Sequence, residues 1–115
     1  GYDYATIKYN TSGQQLWVQR YDGPAKGEDW ASDVALDNLG NVYVTGVCEG
    51  SATHTDYATI KYNAKGKQLW VKKYNGLGNG DDTALAIAVD RSGNAYVTGD
   101  SLGSGTNYYY ATIKY

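Results

Sequence analysis

The stretch ALDNLGNVYVTG at residues 35–46 returns as AVDRSGNAYVTG at residues 88–99, 53 positions further along the chain. Each copy has a short run ending in Asp, a Gly three residues after that Asp, and a second run rich in Val, Tyr and Thr. The Asp side chain can cap a turn, and the Gly can take the positive φ that closes a type I turn with a bulge. The stretch therefore predicts two antiparallel strands joined by a tight hairpin.

The rest of the chain repeats in the same register. Residues 3–55 and 56–108 form two units without a gap, identical at more than half of their 53 positions, and residues 109–115 begin a third copy. The segment YATIKY stands at residues 4–9, 57–62 and 110–115. Such self-similarity is typical of a duplicated structural module, so residues 1–115 are predicted to be one repeat-built segment.

Each unit is predicted to contain four short strands. In the middle copy these are strand A (Trp30 to Asp37), strand B (Asn41 to Val47), strand C (Asp56 to Asn63) and strand D (Lys67 to Tyr74), all rich in Val, Ile, Thr, Tyr and Trp. The same Asp/Asn and Gly spacing joins C to D at residues 10–13 and 63–66. Strand order along the chain is therefore C-D, A-B-C-D, A-B-C.

Strand A is apolar on both sides. Alternation places Ala31, Asp33 and Ala35 on one face and Ser32, Val34 and Leu36 on the other; in the next copy Ala84, Ala86 and Ala88 oppose Leu85, Ile87 and Val89. A sheet apolar on both faces must be covered on both, and the Ala face leaves room for rings of the adjoining unit, from Trp17, Trp70, Tyr43 or Tyr96. Two independent β-meanders would instead leave one wet face on each sheet. The predicted fold is all-β, with about two β-propeller blades, each a four-stranded antiparallel sheet.

The two quoted stretches resemble the bacterial β-propeller repeat called SBBP. In that family a DxxGNxYVTG core precedes a strand similar to residues 57–62 and an aromatic strand similar to residues 69–71. The resemblance implies propellers of large secreted or cell-surface proteins, often beside adhesion or cell-wall modules, and brings no catalytic residues. It also implies many blades, whereas this chain carries about two.

The incomplete first and last units suggest further partners. We expect either an excerpt whose remaining blades belong to the same protein, or a protomer that joins identical copies by strand exchange at its open ends. In a ring of copies, residues 4–9 and 110–115 would compete for one position. Two blades alone would expose apolar faces to water.

Composition narrows the function classes. The 115 residues include 15 Gly, 13 Tyr and 3 Trp but neither Phe nor Met, and the formal charge is −2 with acids and bases interspersed. This pattern favours neither nucleic acid nor an anionic membrane as a partner, and no apolar run is long enough for membrane insertion. The single Cys48 excludes an intramolecular disulfide and any zinc-type cysteine spacing.

One face of the predicted blades collects the variable connections. The B–C and D–A segments (residues 22–29, 47–55, 75–82 and 100–107) lie opposite the tight turns, and loops on a rigid scaffold are where ligands usually bind. An exposed Trp30 could stack on a sugar, which makes a carbohydrate-binding, lectin-like propeller the alternative function. The carboxylates ahead of strand A, which include Asp29 and Asp82, are interpreted as solvated, because no calcium-loop spacing surrounds them and no metal is predicted. The candidate ligand-binding residues are Asp29, Trp30, His54, Asp82 and Asp100.

No catalytic residue is predicted. Cys48, Ser51 and His54 share one loop, but nothing in the sequence supplies the third group that would orient a base. The chain is therefore expected to be a non-enzymatic structural or binding segment without a cofactor, extracellular or at the cell surface. Its expected partners are further blades, identical copies, glycans or other cell-surface components; a non-catalytic fragment of a propeller enzyme is the remaining alternative.

Overall fold

A computed structural model describes residues 1–50 and 54–115, and all regular structure there is β-strand. The nine strands are β1 (Tyr4–Tyr9), β2 (Gln15–Tyr21), β3 (Asp29–Leu36), β4 (Val42–Glu49), β5 (Thr55–Tyr62), β6 (Gln68–Tyr74), β7 (Asp82–Val89), β8 (Ala95–Leu102) and β9 (Tyr108–Lys114). They form three antiparallel sheets: sheet 1 (β1–β2), sheet 2 (β3–β6) and sheet 3 (β7–β9). This part of the chain contains no helix long and apolar enough to cross a membrane. The predicted all-β, antiparallel architecture is confirmed, with sheets of two, four and three strands that do not close a ring.

The four tight turns have one geometry. Gly13, Gly40, Gly66 and Gly93 all have φ between 78° and 86°. In the turn between β3 and β4, Asp37 Oδ1 accepts hydrogen bonds from the backbone N–H groups of Leu39 (2.9 Å) and Asn41 (3.0 Å). The equivalent first residues Asn10, Asn63 and Asp90 accept the same pair of bonds. The predicted capped turns with a left-handed Gly are therefore confirmed.

A β-bulge changes the faces of strand A. The register of β3 on β4 shifts between Ala31 and Asp33, and that of β7 on β8 shifts between Ala84 and Ala86. An extra residue exchanges the faces of everything that follows it. Ala84 consequently shares a buried face with Ile87, whereas Ala86 and Ala88 are exposed. The predicted simple alternation in strand A is wrong from the bulge onward.

The core lies between the sheets and consists of two similar layers. Between sheets 1 and 2 the buried residues are Tyr4, Val42, Val44, Cys48, Ala58, Ile60 and Tyr62, with Trp17, Tyr21 and Val71 packed against them. Between sheets 2 and 3 they are Tyr43, Tyr57, Ala84, Ile87, Ala95 and Val97. Of the four rings predicted to pack on the adjoining unit, Trp17, Tyr43 and Trp70 each belong to the layer against the next sheet, whereas Tyr96 is exposed.

One hydrogen bond recurs across both junctions. Tyr4 Oη donates to the carbonyl oxygen of Ala58 at 3.2 Å, and Tyr57 Oη donates to that of Ala111 at 3.3 Å. Each bond spans 54 residues, so the same tyrosine of one YATIKY segment reaches the next. Tyr110, the third member, is 91% exposed. The junction between sheets is therefore a repeated contact. On the outward face of sheet 3, the residues that would form the next such contact are exposed.

Candidate functional site

The loop face is held together by two buried carboxylates. Asp29 accepts hydrogen bonds from the backbone N–H groups of Gly23 (2.5 Å) and Glu49 (3.3 Å). Asp82 accepts the equivalent bonds from Gly76 (2.6 Å) and Leu102 (3.2 Å). Each carboxylate thus ties the segment before strand A to the end of strand B.

These bonds change the interpretation of both residues. Asp29 and Asp82 are fully buried, so the expectation that they are solvated is wrong. Two backbone N–H groups replace water at each carboxylate, which is how a buried charge is tolerated. The close approach of the Asp82 carboxylate also favours glycine at position 76, since a Cβ there would lie 2.8 Å from Asp82 Oδ1. Ligand binding by Asp29 or Asp82 stays a prediction, and it has to compete with these bonds.

Trp30 lies on the surface beside Tyr2. Its side chain is 46% exposed, that of Tyr2 is 67% exposed, and the ring centroids are 6.4 Å apart. The Asp29 N–H donates to the Tyr2 carbonyl oxygen at 2.7 Å, which brings the two chain segments together. At the junction of sheets 2 and 3 the equivalent residues are Thr55 and Thr83. The aromatic pair is therefore not required to build a junction.

His54 joins two loops at the surface. Its Nδ1 lies 3.7 Å from Asp81 Oδ1, with both side chains about half exposed. The same Asp81 oxygen accepts the Thr55 N–H at 3.1 Å. His54 is thus near the junction of sheets 2 and 3, and it does not share a site with Trp30, which lies at the preceding junction.

Cys48 and His54 are not brought together as a catalytic pair. Cys48 is fully buried in the layer between sheets 1 and 2, and burial raises the pKa of its thiol. A buried, protonated thiol is a poor nucleophile, and His54 instead faces Asp81 at the surface. Ser51 lies outside the residues that the structure describes.

Asp100 belongs to a strand and not to a loop. Strand β8 continues through Leu102 and β4 through Glu49, so both predicted B–C loops begin later than expected. Asp100 is exposed on the outward face of sheet 3, where the equivalent residue of sheet 2 is the buried Val47. The five candidate residues therefore do not converge on one site.

Three carboxylates do come together. Asp3, Asp22 and Asp29 each offer an oxygen within 4.8 Å of the other two, with Asp3 and Asp22 exposed and Asp29 buried. Sequence spacing gave no sign of this cluster because Asp3 precedes β1, whereas Asp22 and Asp29 lie at the two ends of the segment between β2 and β3. At the next junction the equivalents are Asp56, Asn75 and Asp82. The cluster brings together one oxygen from each of three carboxylates, which is fewer than the six to eight oxygens that Ca²⁺ takes, and exposed acidic groups are common without an ion.

A concave groove lies between sheets 1 and 2. It has a volume of about 690 Å³ and runs along the free edge of β1 and the outward face of β3; its lining includes Ile7, Trp17, Val34, Leu36 and Val44. Val34 and Leu36 are 53% and 63% exposed. Strands A and B of a complete first unit would occupy this space. Sequence reasoning anticipated open ends but not this groove.

The comparison with known families agrees with the architecture. The family model of the SBBP beta-propeller repeat matches residues 20–47 and 69–106, which together cover more than half of the chain. No curated protein matches the sequence. The two matched ranges extend from strand D of one unit into the A–B hairpin of the next, and so include each quoted stretch.

Proposed function

The chain belongs to the SBBP beta-propeller repeat family, and on that premise we propose that it is a non-enzymatic propeller segment of a secreted or cell-surface protein. Its role is to pack sheets side by side and to present variable loops on one face. The repeated sheet junction supports this proposal best, because the bonds of Tyr4 and Tyr57 build the same contact twice. Buried Asp29 and Asp82 hold the loops of the variable face, which lies opposite the tight turns.

The non-enzymatic part of the proposal draws on the state of the reactive groups. Cys48 is buried, its thiol pKa is raised by burial, and the exposed His54 faces a carboxylate. A nucleophile would need a base within hydrogen-bond reach.

Detection of the native protein in surface and medium fractions of its cells would test the proposed location. Confinement to the cytosol would contradict it.

The open outer face of sheet 3 and the groove beside sheet 1 support a further part of the proposal. We infer that additional blades cover both, supplied by the same protein or by identical copies. Light scattering of the 115-residue chain at rising concentration tests the second source. A mass that increases above the 12.5 kDa of one chain is expected for association of copies, while a constant single-chain mass leaves the same protein as the source.

A second candidate function is binding of glycans by the aromatic pair. Exposed Trp30 and Tyr2 supply two ring faces on the loop face, and stacking on sugars uses such faces. The chain itself offers matched replacements, since Thr55 and Thr83 hold the equivalent positions. We expect glycan-array signals to be lost in Tyr2→Thr/Trp30→Thr. Signals that survive this double substitution, or an array without any signal, would remove the candidate.

A further inference from the structure

We propose that one copy of this chain fills the groove of a second copy, and that the two copies exchange one strand in doing so. Strands β7 and β8 of the first copy enter the groove of the second copy and continue its sheet 1. The result is a composite sheet with the order β7, β8 from one copy and β1, β2 from the other. Strand β9 of the first copy is displaced, because β1 of the second takes its place. This inference rests on the proposed function, in which further blades cover the open faces.

The wall of the groove is the equivalent of a face that is covered elsewhere in the molecule. Ala31, Val34 and Leu36 on β3 correspond to Ala84, Ile87 and Val89 on β7. On β7 this set packs in the layer against sheet 2, whereas on β3 all three residues are exposed. The layer against β7 is built by strands A, B and C of the preceding sheet, and sheet 1 lacks strands A and B. A hairpin of the same kind, such as β7 and β8 of the first copy, therefore fits the groove of the second.

The edge strands are interchangeable in sequence. Strand β8 pairs with β9 so that Thr98 lies opposite Thr112 and Gly99 opposite Ala111. Because residues 4–9 repeat residues 110–115 without change, the same register sets Thr98 opposite Thr6 and Gly99 opposite Ala5 of the second copy. The bond between Thr98 Oγ1 and Thr112 Oγ1 (3.0 Å) has a hydroxyl to replace it. Exchange thus re-forms the backbone ladder that it breaks.

Two donors would gain acceptors in the composite arrangement. Trp17 Nε1 donates to the carbonyl oxygen of Ala64 in the next turn at 3.1 Å. Its equivalent Trp70 has no acceptor among residues 1–50 and 54–115, and the turn that would supply one is the turn at Thr11 of the second copy. Tyr43 Oη lies within hydrogen-bond distance of Asp37 Oδ2 (3.0 Å) and of the Gly93 carbonyl oxygen in the next sheet (3.1 Å). The equivalent Tyr96 donates to Asp90 Oδ2 at 3.0 Å, and the Gly40 carbonyl oxygen of the second copy would add the contact between sheets. The acceptor for Trp70 and the second acceptor for Tyr96 are thus both present on the groove side of another copy.

The interactions gained and lost favour exchange over an arrangement in which β9 stays in its own sheet. Lost β8–β9 pairing is replaced residue for residue, as in domain swapping. The net gain is burial of the apolar groove wall and satisfaction of an open strand edge.

Cysteine pairs in a Cys48→Ser background test the exchange. Ser101 holds the position equivalent to Cys48, which makes that background conservative. Thr6→Cys with Thr98→Cys places thiols on strands that lie in different sheets of one chain but side by side in the composite sheet. Opposed antiparallel residues have Cα atoms roughly 4.5–5.5 Å apart, within the range that a disulfide spans. The control, Thr98→Cys with Thr112→Cys, locks β9 in its own sheet.

Exchange predicts covalent multimers of the first variant on a non-reducing gel, and a single-copy mass for the oxidised control that reverts to the assembled mass on reduction. Assembly of the oxidised control to the same mass as the unmodified chain would overturn exchange while leaving self-association through open faces intact. A single-copy mass of the unmodified chain at every concentration would also overturn it, and would leave blades of the same protein as the proposed cover. Far-UV circular dichroism of the reduced variants checks that each one folds.

Discussion

Strands β4 and β8 hold the same place in consecutive sheets, yet β4 is covered on both faces and β8 on one. Residues Val42–Cys48 are all buried, whereas β8 alternates, with Ala95, Val97, Gly99 and Ser101 buried and the residues between them exposed. The two strands share Tyr-Val-Thr-Gly, so their own sequences do not cause the difference. The difference in burial arises because β4 has a neighbouring sheet on both faces and β8 on only one. Stability in this molecule therefore resides between sheets, and equivalent residues should differ in energetic weight according to whether a neighbour is present.

The largest effect on the covered junctions is expected from alkaline pH. Burial raises the pKa of Tyr4 and Tyr57 above the usual value of 10.0, and burial together with the nearby Cys48 and Asp29 raises that of Tyr21 to about 12. A raised folded-state pKa means that stability is complete below pH 10 and declines as the pH rises above it, by up to roughly 1.4 kcal/mol per pH unit for each fully buried hydroxyl. Urea midpoints and tyrosinate absorbance between about pH 8 and pH 12 measure this. Gradual ionisation with an unchanged midpoint would contradict it.

The three tyrosines that begin the YATIKY segments give the sharpest test of covered against open positions. Tyr57→Ala removes a buried ring between sheets 2 and 3 and should cost about 3–5 kcal/mol of unfolding free energy, the usual range for large aromatic truncations. Tyr110→Ala removes an almost fully exposed ring and should change the single chain by less than about 0.5 kcal/mol. Urea denaturation of both variants at low protein concentration decides between them. Equal losses of unfolding free energy in the two variants would show that burial at the junction does not account for the contribution of Tyr57 to stability.

The sequence carried enough information for the strands and turns but not for the bonds between sheets. Period-two patterns and the Asp/Asn and Gly spacing act within one unit, and the strand order and capped turns followed from them. The bulge at Ser32 was missed because both faces of strand A are apolar, so a shifted register leaves no mark in hydrophobicity. The burial of Asp29 was missed because its partners, Gly23 and Glu49, contribute backbone N–H groups, which any residue other than proline supplies.

Two turn glycines extend the comparison to the backbone. Gly66 and Gly13 have φ of 86° and 81°, so alanine costs about 1–2 kcal/mol at either position through the left-handed conformation. At Gly66 a Cβ would also lie 2.8 Å from Trp17 Cδ2, whereas nothing lies within 4 Å at Gly13. Overpacking against Trp17 should add about 1–3 kcal/mol. Gly66→Ala should therefore have a lower melting temperature than Gly13→Ala in thermal unfolding. Equal melting temperatures would argue that Trp17 moves aside freely.

The smallest expected difference concerns paired threonines. Thr45 Oγ1 and Thr59 Oγ1 lie 2.9 Å apart in the interior of sheet 2, and Thr98 and Thr112 form the same pair at 3.0 Å on the open face of sheet 3. Thr45→Val keeps the side-chain size but leaves the buried Thr59 hydroxyl without this partner, which should cost about 1–3 kcal/mol. Thr98→Val should cost less than about 0.5 kcal/mol in the single chain, because water can replace the lost bond at an exposed site. Chemical denaturation resolves the pair, and if Thr98→Val becomes as costly as Thr45→Val when the protein concentration is raised, a second sheet covers that face in solution.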